Sequence, residues 1–303
     1  MLRTAATILR MIRFSHTVFA LPFALMALFL AGNAGRGGFP GWGKLALILV
    51  CMVSARSAAM TFNRIVDAKL DARNPRTAGR AIPAGQLGVG RARVFLYICA
   101  LVFAAATYLF WRPLGTWFGY GNYWPMVLAA PVLLFICVYS YTKRFTWAAH
   151  FWLGVSLMLA PVGTWIAVAP PQGPVLSAAA LVLGGAVLLW TAGFDIIYAF
   201  QDLAVDRRER LYSLPARLGT DNALWISRLC HSFAIMLLLG MIPLTRLGRI
   251  YLAAVMAAAV LLLVEHLLIW RGHLGLIHRA FGPINGLVSI LVATAAMVEL
   301  GGL

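Results

Sequence analysis

From Leu45 to Asp71 the chain reads LALILVCMVSARSAAMTFNRIVDAKLD. Residues 45–63 carry a single charge, Arg56, and no alternation of polar with apolar side chains. A run this long and this apolar predicts a helix that crosses a membrane, which takes roughly 20 such residues. The run then delivers Asn63, Asp67 and Asp71 at intervals of four. On a helix those three share one face. The stretch therefore predicts a membrane helix that leaves the lipid carrying a polar stripe.

Eight further runs read as membrane helices, at approximately 16–33, 94–111, 124–141, 147–169, 175–200, 222–243, 250–270 and 283–300. The composition agrees. Of 303 residues, 62% are hydrophobic and 11% charged, and the mean hydropathy is +0.86. A soluble domain carries about a quarter charged residues. The expected fold is an all-α integral membrane protein of about nine transmembrane helices. Glycine and proline inside the runs are compatible with membrane helices. The basic N-terminus (Arg3, Arg10, Arg13) precedes a long run with no small-residue cleavage site, so that run reads as a membrane helix and not as a signal peptide. Cys51, Cys99, Cys137 and Cys230 are scattered and form no CxxC pair, which argues against a disulfide framework or a zinc site.

The net charge is +16. Nucleic acid is excluded as the reason, because the basic residues fall in short loops between apolar runs. There they set topology, contact the headgroups of the lipid bilayer and draw in anionic substrates such as a diphosphate. With the N-terminus cytoplasmic, nineteen of the 25 basic residues lie on the cytoplasmic side and five on the other. This asymmetry predicts N-in, C-out. Two cytoplasmic loops are long, 64–93 and 201–221.

Five of the nine acidic residues fall in two segments, Asn63-x3-Asp67-x3-Asp71 and Asp195-x6-Asp202-x3-Asp206. Steps of four and seven predict a second stripe, with Tyr198 beside it. Asp67 and Asp195 are expected at helix C-terminal ends, where the macrodipole disfavours negative charge. Clustered carboxylates at the rim of a low-dielectric bundle repel one another, and a hard divalent cation relieves this. Mg²⁺ usually takes one or two carboxylates together with substrate phosphates. Two such stripes therefore suit a diphosphate held by Mg²⁺. Basic residues beside them, Arg64 and Arg80 among others, are candidates for phosphate oxygens. Lys143 and Arg144 end the segment that begins at Tyr139 and belong to the same membrane face.

These residues resemble a known family. Asn63 to Asp71, with Asn74-Pro75-Arg76-Thr77 and Arg80 to Gly85, is similar to the first aspartate-rich motif of UbiA-type prenyltransferases. Asp195 to Asp206, with Ser213-Leu214-Pro215, resembles the second, and Tyr139 to Trp147 resembles the segment between them in the 4-hydroxybenzoate branch. The resemblance implies a nine-helix bundle around a membrane-embedded cavity, formed by one domain over residues 1–303. It implies Mg²⁺-assisted loss of diphosphate from a polyprenyl diphosphate and attack of the cation on an electron-rich aromatic acid, ortho to its hydroxyl. Carried over, Asn63, Asp67, Asp71, Asp202 and Asp206 hold the metal. Asp195, Asp67 and Asp202 are the catalytic carboxylates, Asp195 serving to stabilise the cation or to aid proton loss. Tyr139, Lys143 and Arg144 line the diphosphate or aromatic-acid region, and Asn63, Arg64, Arg80 and Tyr198, read from their places on or beside the stripes, are further substrate-binding candidates. The chain departs from the pattern at Arg64, where many members carry Asp.

Three weaker signals complete the reading. Arg56 is a mid-membrane charge, expected either to bind the aromatic carboxylate or to pair with an acid. His16, His150, His231 and His266 read as core or interface residues, and Glu265 is given no chemistry. Gly184 and Gly185 read as helix-packing positions. The expected activity is transfer of a polyprenyl group to 4-hydroxybenzoate in ubiquinone biosynthesis, with the active site facing the cytoplasm of a bacterial inner membrane. A naphthoate acceptor in a menaquinone route is the alternative. A cation-coupled transporter is disfavoured, because transporters place their coupling sites near the bilayer midplane and these acids cluster at one face.

Overall fold

The computed structural model describes residues 7, 19–35, 38–112, 121–170, 176–270 and 277–301. Every regular element among the described residues is helical: α1 (Leu21–Ala34), α2 (Trp42–Val66), α3 (Ala68–Arg73), α4 (Val89–Leu109), α5 (Trp124–Thr142), α6 (Ala149–Val168), α7 (Ala178–Tyr198), a 3-10 turn (Ala199–Asp202), α8 (Leu203–Arg208), α9 (Leu214–Leu218), α10 (Thr220–Thr245), α11 (Arg249–Trp270) and α12 (Ile277–Glu299). Eight helices among the described residues are long and apolar enough to cross a membrane. Eight of the nine expected runs meet these helices within a few residues at each end. The remaining run, 16–33, is represented by α1, which is shorter at 14 residues. Residues 16–18 of that run, His16 among them, lie outside the described residues.

The two long loops are more regular than expected. The segment from residue 64 onward completes α2 and adds α3, and the segment from residue 201 holds α8 and α9. The hydropathy change that marks the membrane boundary does not end the backbone hydrogen bonding, so helices run on into the polar region.

The described residues divide into two units, one holding Gly43–Thr142, the other Val18–Trp42 and Lys143–Leu303. In the first, α4 packs on α5. A small core of Leu87 and Ala92 gathers Met60, Ile65, Ala81, Ile82 and Phe95 beneath the first acidic motif. The membrane-length part of α5 is only 11% buried within the protein. Its apolar side chains, such as Leu134, face outward, as lipid-facing residues do.

In the second unit α7 is the central helix, 67% buried, and it packs mainly on α6 and α10. Lipid is as apolar as leucine, so burial alone drives little association there, and close approach and polar links must contribute. Both are present. A Cβ on Gly154 would come within 2.5 Å of the Leu188 carbonyl oxygen, so α6 and α7 touch backbone to backbone. Gly184 faces Val162 and Met158 of α6, and Gly185 faces Leu237 of α10, which bears out the packing role read from the sequence. Trp190 Nε1 donates to Asn285 Oδ1 at 3.0 Å, and Asn285 Nδ2 donates to Glu265 Oε1 at 2.8 Å. Glu265 thus links α11 to α12. His231 and His266 meet at 3.0 Å between α10 and α11. Such intramembrane hydrogen bonds average about 0.6 kcal/mol each. Phe23 and Phe194 pack around the Trp190 ring at centroid distances of 5.4 and 4.9 Å.

Candidate active site

The first motif is built from neighbours in sequence. α2 ends at Val66, Asp67 has φ −91° and ψ 5°, and α3 starts at Ala68. The helical spacing survives this joint, because Asp67 N–H donates to Asn63 O at 2.9 Å and Asp71 N–H to Asp67 O at 2.7 Å. Asn63 Nδ2 also donates to Asp67 Oδ2 at 2.7 Å, and at 3.4 Å it reaches Ser140 Oγ on α5. The expected stripe of Asn63, Asp67 and Asp71 is therefore present. Asp71 is buried, and Arg80 Nη1 holds its Oδ1 at 2.6 Å. Arg80, expected at the substrate, is thus placed directly on a motif carboxylate. Arg64 is buried and donates to Asn63 Oδ1 at 3.2 Å. It stands where a third carboxylate was missed, and it steadies the asparagine instead.

The second motif does not form the single stripe that the spacing suggests. Asp195 lies in the last turn of α7, after which the chain tightens into the 3-10 turn before α8 begins. A 3-10 turn advances about 20° more per residue than an α-helix, so Asp202 and Asp206 are rotated off the face of Asp195. The contacts of Asp195 are of another kind. Its Oδ2 meets His150 Nδ1 of α6 at 2.7 Å, and His150 Nε2 accepts the Leu214 N–H at the start of α9 at 3.3 Å. His150, read from the sequence as a core residue, is thus a side chain of the site. A spacing of 45 residues carries no local signal that could have revealed it.

The two motifs share one device. Asp67 and Asp202 each sit at the N-cap of a six-residue helix, and Asp71 and Asp206 each fall in that helix's first turn. Both helices end on arginine, at Arg73 and at Arg207 and Arg208. This corrects the expectation that the Asp67 environment is simply unfavourable. The C-terminal end of α2 disfavours its charge, but the N-terminal end of α3 favours both Asp67 and Asp71. Neither N-cap carboxylate bonds to its own helix.

Among the described residues no three His, Cys, Asp or Glu side chains gather into a metal-ligating group. Each motif instead offers a pair of carboxylates, which is what Mg²⁺ takes when phosphate supplies the rest. Asp71 Oδ2 and Asp206 Oδ2 are both buried without a hydrogen-bond partner. An orphaned buried carboxylate oxygen is costly unless a cation or a donor meets it. The residues present therefore fit a divalent cation at each motif. Thr191 Oγ1, Ser213 Oγ and both amide atoms of Gln201, all near the second motif in sequence, are also buried without partners. The sequence reading names Ser213 within the second motif but gives none of the three a role.

The remaining candidates are dispersed. Arg56 lies two turns before Asn63 on α2, on the same face and about 10 Å deeper. Its Nε is buried without a partner, and it makes no ion pair with an acid among the described residues. Tyr139 lies in the last turn of α5, where its carbonyl accepts from Thr142 Oγ1. The Lys143 carbonyl accepts the Tyr212 N–H at 2.7 Å, which ties the segment after α5 to the segment after α8. Arg144 follows it, exposed, and Tyr198 is the last residue of α7. The guanidinium of Arg217 stacks 3.9 Å over the Tyr212 ring.

Residues 20–291 match the UbiA prenyltransferase family. The chain belongs to that family. It is 30% identical over 278 residues to a 4-hydroxybenzoate octaprenyltransferase of Sodalis glossinidius, an alignment covering 91% of this chain and 88% of the relative. Against the protein of the same name from Acidovorax ebreus it is 35% identical over 196 residues, covering 64% of this chain and 61% of that protein. The solved apo structure of a UbiA homolog from Aeropyrum pernix K1 superposes with a TM-score of 0.81 at 28% identity, covering 95% of this chain and 98% of that one. The resemblance read from the two motifs is thereby confirmed, and this UbiA-family chain is a multi-pass membrane protein.

Proposed function

We propose that this UbiA-family protein transfers a polyprenyl group from its diphosphate to 4-hydroxybenzoate, using Mg²⁺, at the cytoplasmic face of a bacterial inner membrane. The observation that carries the reading is the pair of buried carboxylate oxygens, on Asp71 and Asp206, that no protein group satisfies. The acceptor is supported by the names of the Sodalis and Acidovorax relatives. It is also supported by Arg56, a half-buried side chain whose Nε is buried without a partner and which has no acidic partner among the described residues, because a planar carboxylate is the natural ligand of a guanidinium.

In this reading Asn63, Asp67 and Asp71 would hold one Mg²⁺, and Asp202 and Asp206 would hold another. Bound there, Mg²⁺ would supply charge neutralisation as diphosphate departs with the C–O bonding pair. Arg80, already on Asp71, supplies further positive charge near the phosphate oxygens. Arg56 anchors the acid by its carboxylate, on the same face of α2 as Asn63. The ring carbon ortho to the hydroxyl takes the allylic cation, and the ring then loses the proton from that carbon. Asp195 accepts this proton, since one carboxylate oxygen is fixed by His150 and the other is the free end of a group that is 13% exposed. Tyr139, Lys143, Arg144, Arg64 and Tyr198 complete the substrate region. A largely apolar surround keeps water from quenching the cation.

The test is incubation of the purified protein with 4-hydroxybenzoate, geranyl diphosphate and Mg²⁺, with and without EDTA, followed by mass spectrometry. A prenylated acid that disappears with EDTA is expected. Product formed equally well in EDTA would remove the metal from the reading. Product from a naphthoate but not from 4-hydroxybenzoate would replace the acceptor.

A further inference from the structure

A buried histidine that bonds at both ring nitrogens is constrained far more than a core histidine needs to be. His150 is fully buried on α6, 0% exposed, so water cannot replace either contact. At one end Leu214 N–H can only donate, so His150 Nε2 must present its lone pair. The ring proton of the neutral form then resides on Nδ1, and it points at Asp195 Oδ2, 2.7 Å away. The backbone of α9 thus selects the tautomer that meets the carboxylate. Leu214 is the first residue of α9, and its N–H is one that a helix start leaves without an intrahelical partner.

The chemistry of the partner matters as much as the geometry. Asp71 is held by a full cation, Arg80, which offsets its charge. Asp195 is held by a ring whose acceptor nitrogen is occupied, so the carboxylate is oriented by a neutral donor. Within the second unit His150 is the one side chain among the described residues bonded to the Asp195 carboxylate. A neutral donor on one oxygen leaves the other as a directed base.

We propose that His150 is a positioning residue for the prenyl transfer. It fixes the rotamer of Asp195 through Nδ1–H while the Leu214 amide at the start of α9 fixes His150 itself. This rests on the aromatic prenyltransferase reading given above. It adds that the segment Ser213-Leu214-Pro215 acts on the reaction through the histidine tautomer.

Two conservative substitutions separate the two ends of the ring. The amide nitrogen of asparagine falls near Nδ1, so His150→Asn can keep the donor to Asp195 and loses the contact to Leu214. The longer glutamine reaches the Nε2 position, so His150→Gln can keep the contact to Leu214 and loses the one to Asp195. Steady-state kinetics with geranyl diphosphate, 4-hydroxybenzoate and Mg²⁺ should show kcat of His150→Gln reduced about 10- to 100-fold, the range for loss of a group that orients a reacting one. Its KM for the diphosphate should stay within about twofold, because a positioning loss falls on the transition state. His150→Asn should keep most of the wild-type kcat. The reverse order, or wild-type kcat in both variants, would overturn the proposal.

A second measurement does not depend on how the variants fold. In wild-type protein carrying ¹⁵N-histidine, the resonances of His150 should report a protonated Nδ1 and a bare Nε2. The opposite tautomer would sink the idea. Wild-type turnover in the same assay separates the two levels. If the wild type makes no prenylated acid, the functional reading falls and this inference with it. If the wild type is active and His150→Gln matches it, only the inference falls.

Discussion

The two aspartate-rich motifs carry the same device, an Asp-x3-Asp pair on a six-residue helix, yet they are supported in opposite ways. The first is assembled from residues close in sequence. Asn63 bonds to Asp67 four residues on, and Arg80 to Asp71 nine residues back, beside a helix only a third buried. The second stands at the end of the most buried helix and is steered from far along the chain. Asp195 is held by His150 from 45 residues away, and His150 by Leu214 from 64 residues away. One motif is positioned mainly by residues within a few turns of it. The other depends on α6, α7 and α9 being packed first.

The largest expected effect removes the shared device. Asp67→Ala and Asp202→Ala should each lower turnover by roughly 10²-fold or more, the scale on which electrostatic stabilisation of developing charge is lost. Both should leave the thermal transition in detergent unchanged, since neither residue belongs to a packed apolar core. Normal product yield from both variants would remove the carboxylates from the reaction.

The next effect strikes the long-range support. Gly154→Ala forces a methyl group against the Leu188 backbone, which cannot rotate away as a side chain can. Overpacking of this kind costs about 1–3 kcal/mol. A lower melting temperature together with lost activity is expected, because the α6–α7 contact carries His150 to Asp195. An unchanged melting temperature would show that the helices separate without cost.

Smaller still is the local charge pair. Arg80→Ala leaves the buried Asp71 without its cation and should lower stability by about 1 kcal/mol, less than for a fully buried pair because Arg80 is partly exposed. Saturating Mg²⁺ should raise the melting temperature more in this variant than in the wild type, since the metal then gains a carboxylate that arginine no longer occupies. An equal rise in both would show that Asp71 takes no part in metal binding. The smallest change should follow Ser140→Ala. Its 3.4 Å contact to Asn63 is a long hydrogen bond that links the first motif to α5. Activity within about twofold of wild type is expected, as for removal of one weak bond. A tenfold loss would mean that the first motif depends on packing as the second does.

What the sequence determined follows from periodicity and hydropathy, which are local. Runs of apolar residues fixed eight membrane-length helices to within a few residues, and i,i+4 spacing put Asn63, Asp67 and Asp71 on one face because the hydrogen bonds continue through Asp67. The motif residues also sufficed to point to the family. Tertiary structure decided the rest. The 3-10 turn after Tyr198 turns Asp202 and Asp206 away from Asp195, and nothing in a seven-residue spacing announces a change in helical pitch. Arg80 lands on Asp71 because the turns after α3 fold back, which composition does not specify. His150 could be found only by bringing α6 against α7. A lone histidine on an apolar helix reads the same whether its neighbours are leucines or a carboxylate, and backbone approach at Gly154 determines which of these it meets.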